Sequence, residues 1–277
     1  MKTAQTTPHS ISYEVDEFNS RIKLMHYNKD YVEALLAHLE ELAKEKDIGK
    51  VMIYANPEDI SFFEKLGFQN EGEISGFFQG EPACILSRFL EDERAVQKDE
   101  HEKDQIVEMA EKTPPEVERP VLDPRYRLRH AGKDDAEQLA ELYRVVFETY
   151  PTPIHDPEYI RQCMDQDVYF TIVTHQDRIV SSASADVFSG YQSAEITDCA
   201  THPDYRGQGM LSAIIYDLEQ RMRKMGIPHL FSLTRAVSAG MNMVIAKRGF
   251  EYKGRLIQNS HIAGQFEDMN IWVKKLD

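Results

Sequence analysis

The stretch Ala194-Glu-Ile-Thr-Asp-Cys-Ala-Thr-His-Pro-Asp-Tyr-Arg-Gly-Gln-Gly209 holds the residues best suited to chemistry. Its first half reads as a strand that stops at His202-Pro203. Arg206-Gly-Gln-Gly209 reads as a tight turn, and an amphipathic helix follows over 209–225. A helix N-terminus leaves its first N–H groups free and carries partial positive charge, so it attracts phosphate oxygens. Glycine lets the backbone approach a diphosphate with no Cβ in the way. Arg206, Gly207, Gln208, Gly209, Met210, Leu211 and Ser212 are therefore expected to hold a diphosphate-bearing cofactor. Two glycines also fit an ordinary strand–turn–helix connection, and that reading stays open.

The turn narrows the choice of cofactor. A dinucleotide fold would bring a third glycine and a later acid, and a P-loop would bring Gly-Lys-Ser/Thr; this turn has neither. Arg206-Gly-Gln-Gly-Met-Leu211 resembles the acetyl-CoA motif of the GNAT acyltransferase superfamily, in which Arg/Gln-x-x-Gly-x-Gly/Ala follows a strand. It departs at the sixth position, where Leu211 replaces Gly or Ala. The resemblance implies acetyl-CoA as cofactor and a GNAT acyl-CoA N-acyltransferase fold, an α/β architecture with a mixed central sheet and flanking helices. It further implies cofactor contacts from Cys199, Ala200 and Thr201 on the entering strand, and from Ser238 and Asn242 on a later helix. For Asn242 a plain helix-surface amide is an equal alternative.

Amide formation from a thioester needs a neutral amine, a polarised carbonyl and a proton donor for the leaving thiolate. Glu195 is the candidate base. Strand alternation puts it on one face with Thr197 and Cys199, and Ile196, Asp198 and Ala200 on the other. Ala194-Glu-Ile-x-x-Cys-Ala200 also resembles the strand of histone-type GNAT enzymes, whose glutamate is the base. A solvent-facing or cation-holding carboxylate is the competing reading. Many GNAT enzymes carry a tyrosine as acid four residues before a Gly-Phe step; here Ile245 stands there, which leaves Tyr216, Tyr252 or water. The proline-rich Tyr150-Pro-Thr-Pro-Ile-His-Asp-Pro157 corresponds to a loop that walls the acceptor site in GNAT folds, and offers Tyr150, His155 and Asp156 as contacts. A rigid connector would also use those prolines. Asn259 and the polar groups around Glu267 are further acceptor candidates, whereas Trp272 belongs in a core.

The elements that must position these groups are legible in outline. Strands are expected at 21–26, 51–55, 126–130, 168–174, 179–187, 194–201, 229–234 and 269–275, and helices at 30–46, 59–66, 134–149, 209–225 and up to about 248. Strands alternating with helices imply an α/β sheet. Residues 1–18 read as a flexible tail, 19–90 as one globular unit, 91–121 as an acidic linker with eleven acids against five bases, and 122–277 as the catalytic unit. Phe63-Glu-Lys-Leu-Gly-Phe68 matches Ile245-Ala-Lys-Arg-Gly-Phe250, with a helix and strand before each copy and a closing strand after it. Residues 19–90 are thus expected to be a degenerate, structural half-copy of the GNAT unit, without the glycine turn. A chance match of a helix ending in Gly-Phe is the alternative.

The chain has 277 residues and a net charge of −15, which argues against nucleic acid and anionic membrane as partners. Cys84, Cys163 and Cys199 form neither a metal spacing nor a disulfide framework, and no signal peptide or membrane span is evident, which fits the cytoplasm. A homodimer is a candidate assembly. With Ser232-Leu-Thr-Arg-Ala-x-Ser-x-Gly-Met-Asn242, Asn259, Ile262-x-Gly264 and Glu267-x-Met-Asn-x-Trp272, the chain resembles the β-lysine N-acetyltransferases of bacilli and methanogenic archaea. That family implies acetyl transfer to the ε-amine of β-lysine, which makes an osmolyte. Asp156, Asp198 and Glu267 could then meet the amines, and Arg235 the carboxylate, since a guanidinium binds one bidentately; a structural ion pair is the alternative for Arg235. Another acceptor amine, such as a polyamine or a protein lysine, and a non-catalytic acetyl-CoA-binding regulator remain as other readings.

Overall fold

The computed structural model describes residues 5–7, 11–116 and 118–277. Among the described residues, thirteen strands form a single sheet: β1 (Gln5–Thr7), β2 (Ile11–Asp16), β3 (Arg21–His26), β4 (Lys50–Ala55), β5 (Gln69–Phe78), β6 (Glu81–Phe89), β7 (Tyr126–His130), β8 (Val168–His175), β9 (Arg178–Phe188), β10 (Ser193–Thr201), β11 (His229–Arg235), β12 (Glu251–Ile262) and β13 (Gln265–Lys275). Its helices are α1 (Val32–Glu45), α2 (Ile60–Lys65), α3 (Glu100–Glu111), α4 (Ala136–Val146), α5 (Pro157–Met164), α6 (Met210–Met225) and α7 (Ala239–Lys247). β1, β2, β5, β12 and α5 are additions to the elements expected from the sequence, and α3 lies in the segment read as a linker. β2 pairs with β3 along its length and buries Tyr13, so the loose tail expected over 1–18 is corrected there. The rest of that tail, residues 1–4 and 8–10, lies outside the described residues.

The strand order is β1-β2-β3-β4-β6-β5-β12-β13-β11-β10-β9-β8-β7. Reading outward from its middle, the two sides repeat each other: β5, β6, β4, β3 on one and β12, β13, β11, β10 on the other. β3 and β4 are parallel, as are β10 and β11, while β4 with β6 and β11 with β13 are antiparallel. Both copies have the same register shift, between Asn70 and Gly72 and between Tyr252 and Gly254. The Gly-Phe match marks the same event in each: Phe68 N bonds Phe63 O and Phe250 N bonds Ile245 O, closing a helix and sending the chain into a strand.

The halves meet where β5 crosses β12 antiparallel, with Gly72 opposite Gly254. Both have φ of +142°, and a Cβ on Gly254 would lie 2.5 Å from Gly72 Cα and 2.3 Å from Glu71 O. The crossing therefore admits no side chain on either strand. Charge is buried beside it. Lys50, fully buried, donates to Ile257 O at 2.8 Å and pairs with Glu71 at 2.8 Å; Glu71 accepts from Ile257 N at 2.6 Å. The Lys50–Glu71 pair thus ties β4 and β5 of one half to the β12 backbone of the other. Each hairpin then reaches under its opposite half: Gln79 N donates to Tyr191 O, and Arg21 and Arg94 donate to Asn259 O and Gln258 O.

The acidic segment after β6 is packed rather than strung across a gap. Arg94 lies 3.6 Å over the Phe266 ring. α3 buries Ile106, Val107 and Ala110 against the C-terminal half, Lys103 pairs with Asp268 at 2.8 Å, and Asp104 with Arg255 at 2.9 Å. Apolar spacing over 30–46 expects Tyr31, Ala34, Leu35, Leu39 and Leu42 on the inner face of α1; the helix instead buries Val32, Leu36, Leu39 and Ala43 and exposes Tyr31.

Gly254→Ala is expected to lower stability by roughly 1–3 kcal/mol, the scale of one strained backbone residue, with further loss from the clash. Gly190→Ala, where a Cβ meets nothing within 4 Å, is the neutral control. Thermal melts of the two variants read the difference.

Candidate active site

β10 ends at Thr201, a short turn runs through Pro203–Tyr205, and the chain enters α6 at Gly209. Gly207 and Gly209 have φ of +75° and +72°, and a Cβ on either would meet nothing within 4 Å. Packing inside the chain therefore does not demand glycine there. Backbone conformation does, and it leaves an open surface over the turn. No side chain caps α6, so the first N–H groups of a sixteen-residue helix face that surface. Arg206 Nε donates to Thr201 O at 3.3 Å, and Gln208 accepts from Tyr126 OH at 2.6 Å; these bonds pin the turn from both sides. A turn of this shape is able to accept phosphate oxygens.

The second feature is a split in the sheet. β10 and β11 pair only from Ser193–Glu195 to His229–Phe231, although both strands run on. β10 leaves the ladder through a bulge between Thr197 and Ala200, with Asp198 at φ +52°. Ser232 Oγ donates to Ile196 O at 2.7 Å and is the stitch at which the strands part. The gap opens a cleft of about 500 Å³. From the α6 side it is lined by residues 206–212, Met241 and Val244, and from the opposite face by Phe147, Tyr150, Ile262 and Met269. Backbone groups freed by the split can bond an amide-bearing arm reaching from the turn.

The bulge changes which carboxylates share a face. Register partners of an antiparallel pair point the same way, so Asp186 lies beside Glu195 and Ser184 beside Thr197. Ser184 Oγ donates to Asp198 at 2.6 Å, and Tyr150 OH donates to it at 2.9 Å. Asp198 therefore joins Glu195 on one face, which corrects the alternation expected from sequence; the extra residue of a bulge resets the period. Cys199 instead turns to the α6 side, where it packs against the core. Burial first, then the charges of Asp198 and Glu195, push its thiol pKa well up, so it stays protonated and lines the cleft as an apolar group. Burial and then Asp198 likewise hold the Tyr150 phenol neutral.

The other candidates divide. Thr201, Ser238 and Arg235 line the cleft together with Cys199, Asp198, Tyr150 and the whole turn, including Leu211. Glu195 lies just behind the cleft, in the last paired position before the split. Ala200 is a core residue whose carbonyl is taken by Ser181. Asn242 is fully buried: it accepts from Thr234, Asn270 and Trp272 and donates to Arg235 O and Ser238 O. Its amide is used up inside the protein, so the cofactor contact expected of it is withdrawn. Asp156 is exposed and caps α5 through Glu158 N, and Asn259 lies under the N-terminal half beside Arg21; neither lines the cleft. Glu267 is nearly buried, pairs with Arg235 at 2.9 Å and also accepts from Gln265. Tyr216 faces Arg248 and Tyr252 meets Trp272 edge-on, and neither lines the cleft. Asp186 was missed. Its signal was present, since Ser182, Ser184 and Asp186 alternate with alanines along one strand.

Comparison with known proteins bears on this geometry. The profile of the Acetyltransferase (GNAT) family matches residues 136–250. The N-acetyltransferase YodP of Bacillus subtilis (strain 168) is 40% identical over 261 residues, 94% of each chain. A β-lysine N(6)-acetyltransferase of Methanococcus maripaludis is 31% identical over 94% of each chain. Another, from Methanosarcina mazei, is 31% identical over 88% of this chain and 97% of that one.

Gly209→Val would place a branched side chain on the open surface of the turn. It is expected to weaken acetyl-CoA binding at least tenfold, about 1.4 kcal/mol, while the protein remains folded by circular dichroism. An unchanged affinity in titration calorimetry would remove the diphosphate from residues 206–212.

Proposed function

This chain belongs to the GNAT acetyltransferase family and is an acetyl-CoA-dependent N-acetyltransferase, and from that premise we propose that its acceptor is a primary amine of a small diamino acid, the ε-amine of β-lysine. The product would serve as an osmolyte made in the cytoplasm. Two relatives that share nearly the whole length carry that substrate in their names.

The observation that carries the reading is the placement of Glu195 and Arg235. Alternation along β11 puts Phe231, Leu233 and Arg235 on one face, and Phe231 is the register partner of Glu195. Carboxylate and guanidinium thus share a face, separated by four residues of strand, or roughly 13 Å. A chain-like acceptor with an amine at one end and a carboxylate at the other fits that spacing better than a compact amine. Arg235 has one nitrogen on Glu267, and its buried Nε has no hydrogen bond among the described residues. A substrate carboxylate would complete it. Asp186 and Asp198, on the face of Glu195, supply negative charge for the second amine.

When bound, acetyl-CoA supplies an acyl thioester. Residues 206–212 would hold its diphosphate, and Thr201 and Ser238 line the cleft beside its path. Glu195 takes the proton that keeps the amine from acting as a nucleophile. Tyr150, kept neutral and bonded to Asp198, lines the cleft on the acceptor side and can return a proton where Ile245 cannot.

Thiol release with β-lysine, α-lysine, putrescine and spermidine tests the acceptor. β-Lysine is expected to give the highest kcat/KM, and a faster reaction with spermidine would overturn the choice. Glu195→Gln is expected to lower kcat by roughly 10²–10⁴-fold, with partial recovery at high pH as more acceptor becomes neutral on its own. An unaltered pH–rate profile would remove Glu195 as the base.

A further inference from the structure

The face that carries Glu195 is not completed by the C-terminal half. β4 and the β5–β6 hairpin of the N-terminal half lay Tyr54 and Phe77 across it. The Phe77 ring lies 5.9 Å from Phe231, 5.6 Å from Phe188 and 5.3 Å from Tyr54, centroid to centroid. Phe231 is the strand neighbour of Glu195, and Phe188 that of Ser193, two residues before it. The same apolar cluster continues into Leu233, Ile262 and Met269, which also line the cleft. One wall therefore runs from the N-terminal half past Glu195 to the reacting end of the cleft.

The seat of this wall is fixed by backbone. Gln79 N donates to Tyr191 O at 3.0 Å, and Gln79 Nε2 donates to Gly190 O at 2.9 Å. At Gly76 the chain passes so near β11 that a Cβ would lie 2.0 Å from the His229 ring. Tyr54 is a polar member of the wall. Burial first, and the charge of Glu195 second, hold its phenol proton in place, so it meets the site as a neutral hydroxyl able both to donate and to accept. A tyrosine in such a wall presents an apolar ring and one directional polar tip.

We propose that Tyr54 is an acceptor-site residue: the reactive amine sits between the Glu195 carboxylate and the Tyr54 hydroxyl, which makes the N-terminal half part of the site. The inference rests on Glu195 being the base in the reading above. It revises the purely structural role expected for residues 19–90.

The test compares Tyr54→Phe, Tyr191→Phe and Glu195→Gln in the full-length protein, with β-lysine and spermidine as acceptors. Tyr54→Phe removes one oxygen and keeps the ring. It is expected to raise the acceptor KM about tenfold, the scale of one hydrogen bond to a charged group, with kcat less affected and with acetyl-CoA affinity and melting temperature unchanged. Tyr191→Phe removes a hydroxyl from the same cluster, one that bonds His26 instead, and is expected to leave the acceptor KM alone. An unchanged acceptor KM in Tyr54→Phe overturns the proposal, as does an equal rise in Tyr191→Phe, which would mean general loosening of the wall. If Glu195→Gln lowers kcat while Tyr54→Phe changes nothing, only the role of Tyr54 fails. If Glu195→Gln leaves kcat intact, the base assignment fails by itself.

Discussion

The structure depends on the contact between Gly72 and Gly254. Two half-sheets become one only because two backbones can touch there with nothing between them. A single pair of facing residues is little ladder for so large a joint. The buried Lys50–Glu71 pair, bonded to the Ile257 backbone, and the two exchanged hairpins carry the remainder. Buried ion pairs add little net stability, yet breaking one leaves an uncompensated charge. The joint therefore tolerates one alignment of the halves and penalises slippage. That alignment also sets Phe77 against Phe231, and so the wall behind Glu195.

Within the catalytic half, one amide does comparable work on a smaller scale. Asn242 ties the end of β11, the start of α7 and two side chains of β13 through five hydrogen bonds. It holds β11 on the β13 side while β10 swings away through its bulge. The cleft is the space that results. The sheet thus opens because one edge of β11 is firmly bonded and the other is released after Phe231.

Most of this was legible at the level of elements and turns. The glycine turn, the strand entering it and the helix leaving it stand where the sequence put them, because local conformation and local charge decide all three. The repeat was visible through Gly67-Phe68 and Gly249-Phe250, which are helix-stopping chemistry. The failures are of another kind. Asp198 changed face because a bulge has no sequence signature of its own. Asn242 and Asn259 looked like site residues because a polar side chain reads alike whether its partners are a ligand or the protein. Packing of α3 and the hairpin exchange are long-range facts, fixed by contacts between residues more than about 110 positions apart. No periodicity records them.

The mirrored sheet also places Lys23 where its twin has Glu195. Arg21 faces Lys50 as Ser193 faces His229, and two residues on, Lys23 beside Glu14 answers Glu195 beside Asp186. Two separate copies of such a unit would need to find each other in solution, and their shared wall would come apart on dilution. Here the partner is tethered, so its effective concentration is set by the packed segment that joins the halves and not by the amount of protein present. Assembly of the wall becomes first order. One copy could then lose its turn and its acid without cost to the other, because association no longer required the two surfaces to be identical.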